Sequence, residues 1–148
     1  MEKKLKIVFA DDSTEFSKNC ERTLKGYGME VISVKKDGLS VISKVKSEKP
    51  DVVLAEVFLT NIDILGILAE IKKMNAKETP LVMVMSSFAN QRLEKEILEA
   101  GASYYFLKPF DVNIMAQRIM QISGSSKTST KKAKPYTSQY SLKASRTE

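Results

Sequence analysis

The amino-acid sequence predicts an α/β protein built on a five-stranded parallel sheet that is doubly wound, with helices on both faces. Five short apolar runs have the length of strands and are rich in β-branched or aromatic residues. Each run is followed by a segment in which apolar residues recur at helical spacing. Five strand-then-helix units with short connections are typical of such a sheet, and the strand order 2-1-3-4-5 is expected.

The elements follow one another over residues 1–123, which we expect to form one domain. The predicted strands are residues 6–10, 30–34, 51–57, 81–85 and 104–107. The predicted helices are residues 14–28, 39–49, 64–74, 91–101 and 111–122. Asp111 stands where a helix N-cap belongs, and Gly101 where the residue after a helix C-cap belongs. A chain of 148 residues is long enough to bury a core of its own.

Composition excludes several classes of function. The sequence contains one cysteine, Cys20, and no histidine. An internal disulfide, a histidine-based catalytic triad and most zinc sites are therefore excluded. No apolar run approaches the roughly 20 residues of a membrane span, and the first residues lack the pattern of a secretory signal. We expect a cytoplasmic protein that does not bind membranes.

The positive charge is concentrated at the end of the chain. The net charge is +6, and residues 124–148 contribute +5 of it through six basic residues and one acidic residue. This tail is rich in Ser, Thr and Lys and nearly lacks aliphatic side chains, so it is predicted to be disordered. An alternative is a nucleic-acid-associated regulator, in which the tail lysines contact phosphates and Tyr136 and Tyr140 stack on bases.

Polar residues follow four of the predicted strands. They are Asp11 and Asp12 after the first, Glu56 at the end of the third, Ser86 and Ser87 after the fourth, and Lys108 and Pro109 after the fifth. Each has an ordinary reading of its own, such as a helix cap or a surface lysine. Ligands of doubly wound sheets, however, bind outside the carboxyl ends of the strands. Oxygen ligands suit Mg²⁺, and a cation beside a lysine and a hydroxyl can hold a phosphoryl group.

Four motifs resemble the response-regulator receiver domain of two-component signalling. They are FADDS at 9–13, Asp63 seven residues after Glu56, MSS at 85–87 and YYFLKPF at 104–110. The resemblance covers residues 5–122, and EAGASYYFLKPFD is most similar to the receiver of the stage-zero sporulation regulator A. It implies a flavodoxin-like fold, Mg²⁺ bound by Asp11, Asp12 and the acid at position 56, and phosphorylation of that acid by a histidine kinase. It also implies Ser86 as the switch hydroxyl, Tyr105 as the switch aromatic, Lys108 as the phosphate contact and a cis peptide bond before Pro109.

The sequence departs from the receiver pattern at the phosphoacceptor position, which holds Glu56 instead of aspartate. Thr60 also replaces the usual proline, and Ile64 the usual glycine. One extra methylene moves the carboxylate by ~1.5 Å, and an error of about 1 Å in placing a reacting group can cost on the order of a hundredfold in rate. Phosphorylation at Glu56 is therefore not expected. Either Glu56 mimics the phosphorylated state, with a charge of −1 where an aspartyl phosphate carries about −2, or the site has decayed.

These observations predict a degenerate, stand-alone receiver that acts by protein contact and not as an enzyme. Its expected partners are a histidine kinase, a phosphotransferase, another regulator or a second copy, bound through residues 90–122. DNA binding is not expected without an effector domain. An apolar core role is predicted for Ile97, Leu98, Phe106, Met115 and Met120. Two alternatives are an active receiver phosphorylated at an atypical site and a flavodoxin-like cofactor binder. The latter is disfavoured because Asp11 and Asp12 would repel a phosphate without a metal.

Overall fold

The computed structural model of the protein describes residues 4–12 and 14–126, with side chains as far as residue 123. The strands are β1 (Lys6–Ala10), β2 (Glu30–Val34), β3 (Val52–Glu56), β4 (Leu81–Ser86) and β5 (Tyr104–Leu107). The helices are α1 (Glu15–Gly26), α2 (Gly38–Glu48), α3 (Ile64–Lys72), α4 (Gln91–Glu99) and α5 (Val112–Ser126), with a short 3-10 helix at Ala76–Glu78. All the strand pairs are parallel, in the order β2-β1-β3-β4-β5. The predicted fold is confirmed.

The sheet separates two apolar cores, because successive side chains of a strand point to opposite faces. Along β3, Val52 and Leu54 belong to one core, and Val53 and Ala55 to the other. The first core is closed by α1 and α5, and we call this side of the sheet the α1/α5 face. The second is closed by α2, α3 and α4, and we call it the α2/α3/α4 face.

The helix ends confirm the two capping positions that the sequence predicts. Asp111 Oδ1 accepts hydrogen bonds from the backbone N–H groups of Asn113 and Ile114, at 2.9 and 3.2 Å, as an N-cap does. Gly101 follows the C-cap of α4 with φ of +122°, a conformation that favours glycine. The last helix extends to Ser126, beyond the predicted domain boundary at Ser123. The predicted tail from residue 127 onward lies outside the described residues.

One of the five predicted core side chains is wrong. Ile97, Phe106 and Met115 are buried, and Leu98 is partly buried against the core of the α2/α3/α4 face. Met120, by contrast, is 42% exposed. The inward stripe of α5 includes Met115, Ala116, Ile119 and Ile122. Because each helical residue turns the chain by about 100°, Met120 lies off that stripe.

No helix within the described ranges 4–12 and 14–126 is long and apolar enough to span a bilayer.

Candidate functional site

The alternation of the strands carries three charged side chains to the α1/α5 face at the carboxyl edge of the sheet. Asp11, Glu56 and Lys108 each lie two residues after a buried core residue of that face. Those core residues are Phe9, Leu54 and Phe106, respectively. Phe9 and Leu54 are register partners in the β1–β3 pair. The period of two in these strands therefore brings the three charges together.

Lys108 forms the centre of this group. Its Nζ donates to Asp11 Oδ2 and to Glu56 Oε1, both at 2.8 Å. The side chain of Lys108 is 16% exposed, and those of Asp11 and Glu56 are 1% and 8% exposed. Burial alone would lower the pKa of Lys108, but the hydrogen bonds and charges of the two carboxylates outweigh burial and raise it. One charged ammonium thus links two buried carboxylates.

Asp12 does not join this group. Its Oδ2 lies 3.4 Å from the Nζ of Lys36, which follows β2. The Asp12 backbone N–H donates to Asp11 Oδ1 at 2.8 Å, and the carboxylates of the two neighbouring acids contact different lysines. Among residues 4–12 and 14–126, no three acidic or cysteine side chains are placed as a metal-binding group. The predicted metal ligands are near one another, but lysines are their present partners.

The chemistry of the three acids nevertheless fits Mg²⁺. Asp11, Asp12 and Glu56 all line one open cavity of about 540 Å³, together with Lys36 and Lys108. Carboxylate oxygens are the ligands that this hard cation prefers. An ion bound here would take the place of the Lys36 ammonium as the partner of Asp12. When bound, Mg²⁺ supplies charge neutralisation for a phosphoryl group.

The predicted switch residues lie toward the other face of the sheet. Ser86 and Tyr105 are both fully buried. Ser86 Oγ accepts from the Phe88 N–H at 2.9 Å and donates to the Phe88 carbonyl at 3.4 Å. Tyr105 donates to the same carbonyl at 3.5 Å, and burial raises the pKa of this phenol. Within the described part of the chain, Ser86 is therefore engaged with the Phe88 backbone and not with Glu56.

The peptide bond between Lys108 and Pro109 is cis, as the resemblance implies. It follows β5 and belongs to the same residue whose side-chain ammonium joins the two acids.

Sequence reasoning missed two kinds of residue at the cavity. Phe58 and Phe88 are exposed rings in edge-to-face contact, with centroids 5.5 Å apart. Lys36 is the partner of Asp12. All three line the cavity, and all three follow strands at their carboxyl ends. That position was the available signal, because every loop at this edge of the sheet faces the same site.

The carboxyl edge of the five-stranded parallel sheet thus carries an acid after β1, an acid at the end of β3 and a lysine after β5, where ligands of doubly wound sheets bind. The family model described as "Response regulator receiver domain" matches residues 7–120. The chain belongs to this family, and the resemblance drawn from its motifs is confirmed at that level.

Several solved structures share the fold. The chemotaxis response regulator CheY4 of Vibrio cholerae has a TM-score of 0.70 and 18% identity, over 82% of this chain and 99% of that one. The receiver domain of the sensor histidine kinase PA1611 of Pseudomonas aeruginosa, with magnesium in its active-site cleft, has a TM-score of 0.72 and 21% identity, over 83% and 100%. The CheX–CheY–BeF3–Mg complex of Borrelia burgdorferi gives 0.69 and 23%, over 80% and 88%.

Proposed function

We propose that this receiver serves two-component signalling by protein contact, in a single state that does not depend on phosphorylation of Glu56. The observation that carries the proposal is the 2.8 Å contact between Glu56 Oε1 and Lys108 Nζ. The resemblance assigns Lys108 to the incoming phosphate. Here the acceptor carboxylate already supplies an anionic partner for that lysine, and Asp11 supplies a second.

The surroundings of Glu56 support a fixed state. The carboxylate is buried and bound to an ammonium, so attack on a phosphodonor would require it to leave a buried ion pair. Its extra methylene displaces the reacting oxygen by ~1.5 Å from the reach of an aspartate. The resemblance assigns Lys108 and Ser86 to contacts with a phosphate. The Ser86 hydroxyl bonds to the Phe88 backbone, so Glu56 makes only the contact with Lys108. Both mimicry and decay of the site are consistent with such a fixed state.

The contact surface is proposed on α4, β5 and α5, within residues 90–122. Ile114 and Met120 are large exposed apolar side chains on α5, and we propose them as contact residues within this surface. The fold neighbour from Borrelia burgdorferi is a CheX–CheY complex. We propose a histidine kinase, a phosphotransferase, another regulator or a second copy as partner, in the cytoplasm. From the stretch EAGASYYFLKPFD we also propose that this receiver is similar to that of the stage-zero sporulation regulator A.

Shortening the acceptor tests the role of Glu56. The Glu56→Asp variant, given Mg²⁺ and a small acyl phosphate, is expected to gain one base-labile phosphoryl group. The P–O bond to the donor's carboxylate breaks, a new P–O bond forms to the aspartate, and the donor leaves as a carboxylate. Intact mass spectrometry measures one added phosphate, absent from wild type and from Glu56→Asp combined with Asp12→Ala. Labelling of wild type at Glu56 would contradict the proposal.

A matched pair of surface variants tests the contact. Ile114 on α5 and Leu39 on α2 are both 54% exposed. Affinity capture from the host lysate with the full chain is expected to retain a signalling partner, and Ile114→Glu is expected to lose it. Leu39→Glu introduces the same charge outside the proposed surface and is expected to retain the partner. Equal retention by both variants would place the contact elsewhere.

A further inference from the structure

Two lysines, and not one, neutralise the acids of the site. Lys108 holds Asp11 and Glu56, and Lys36 lies 3.4 Å from Asp12. Three carboxylates and two ammonium groups leave a local charge of −1. An acid cluster that is open to a divalent cation would carry −3 and attract it strongly. Here most of that charge is offset by side chains of the chain itself.

The backbone of Lys36 is fixed by the loop that follows β3. Its carbonyl accepts a hydrogen bond from the Thr60 N–H at 3.0 Å and another from Thr60 Oγ1 at 3.1 Å. The Gly38 N–H donates to the Thr60 carbonyl at 2.9 Å, and Asp37 and Thr60 form a parallel bridge. We call residues 36–38 and 60–62 together the loop clasp.

Two further contacts keep the loop clasp closed. Asn61 Nδ2 donates to Asp37 Oδ1 at 2.8 Å. A Cβ atom at Gly38 would lie 2.0 Å from the carbonyl oxygen of Ile62, so the two loops approach more closely than a side chain at that position would allow. Hydrogen bonds at Lys36, Asp37 and Gly38 thus fix the backbone from which the Lys36 side chain reaches Asp12.

We propose that Lys36 is an internal counter-ion that competes with a divalent cation for Asp12 and so weakens metal binding at this site. The inference rests on the proposed function only in taking Asp11, Asp12 and Glu56 as the metal ligands. A cation bound by Asp12 competes with the Lys36 ammonium, and we take ~5 Å as the separation that the fixed backbone of Lys36 then leaves between the two charges. Repulsion between a double and a single charge at that distance in water corresponds to on the order of tenfold in affinity.

Titration of the full-length chain with Mn²⁺ tests the proposal, with free Mn²⁺ measured by electron paramagnetic resonance at low ionic strength. Lys36→Gln is expected to bind Mn²⁺ about tenfold more tightly than wild type. Lys36→Arg keeps the charge and is expected to bind like wild type. Lys35→Gln removes the same charge from the exposed neighbouring residue, which has no ion pair with Asp12 among the described residues, and its effect on affinity is expected to be smaller than that of Lys36→Gln. Adding Asp12→Asn to Lys36→Gln should abolish the gain.

Three outcomes would overturn the inference. The first is equal affinity of Lys36→Gln and wild type, and the second is an equal gain for Lys35→Gln and Lys36→Gln. The third is absence of Mn²⁺ binding, at millimolar concentration, from every folded variant. None of these outcomes touches protein contact, which the Ile114→Glu capture experiment tests separately. A metal result and a contact result can therefore fail independently.

Discussion

Replacement of Lys108 by methionine is expected to destabilise the protein strongly. Methionine keeps an unbranched, apolar stem but removes the ammonium, which leaves the carboxylates of Asp11 and Glu56 buried without their partner at 1% and 8% exposure. Breaking a buried ion pair from one side costs about 3–5 kcal/mol. For a folded body of this size, that corresponds to a fall in Tm of roughly 10–20 °C. Thermal and urea unfolding followed by circular dichroism at pH 7 measure both quantities.

The pKa of Lys108 predicts how the free energy of unfolding falls at alkaline pH. The pKa of Lys108 is raised in the folded state above its ordinary value of 10.5. Its contribution to the free energy of unfolding is therefore full below that value and is lost as the pH rises through the folded-state pKa. Wild type should lose stability above about pH 10.5 by this route. Lys108→Met should lack that component of the decline.

Two comparisons decide whether the reasoning about Lys108 holds. Lys73→Met removes an exposed lysine, 3.3 Å from Glu70, and should change stability by less than about 0.5 kcal/mol. Adding Glu56→Gln to Lys108→Met leaves one unpaired carboxylate instead of two, so the double variant should be more stable than Lys108→Met alone. A Lys108→Met variant within about 1 kcal/mol of wild type, or strictly additive effects in the double variant, would refute the buried-pair argument.

Three further predictions concern other parts of the molecule. Gly38→Ala should destabilise by on the order of 2 kcal/mol or more in urea unfolding, because its Cβ would collide with the Ile62 carbonyl; wild-type stability would contradict the loop clasp. Cys20 is fully buried, and burial raises its pKa to about 12, so iodoacetamide at pH 8 should modify it only in denaturant. A chain ending at Ser126 should keep the Tm of the full chain to within about 2 °C, because the removed residues offer no apolar stripe to a core; a large drop would show a packed tail.

The fold could be predicted from the sequence because the apolar runs of the strands and the helical spacing of apolar residues are both clear within short segments. All five strands were located to within one residue at either end, and β1, β2 and β5 match their predicted bounds. The parallel arrangement followed from the alternation of strands and helices. The carboxyl edge of the sheet then indicated Asp11, Glu56 and Lys108, and the structure brings these three side chains together.

The departures have physical reasons that a linear pattern does not contain. Lys36, the partner of Asp12, lies in a loop whose path depends on contacts between residues 36–38 and 60–62, which are far apart in the sequence. Met120 is apolar like the core residues of α5, but it lies off the inward stripe of that helix. The partner of Ser86 is a backbone group two residues away, and such a local bond competes with any contact to Glu56 without a marker in the sequence.

The division of the sheet into two faces has a consequence for how such a chain can diverge. The ionic group of Asp11, Glu56 and Lys108 lies at the ends of β1, β3 and β5 on the α1/α5 face, whereas Ser86 in β4 and Tyr105 in β5 lie toward the α2/α3/α4 face. The charged group borders the core of the α1/α5 face, and Tyr105 packs in the core of the α2/α3/α4 face. Substitutions among the three charged residues can therefore change the chemistry of the site while the packing around Tyr105 stays the same. The two groups share one sheet but can diverge separately.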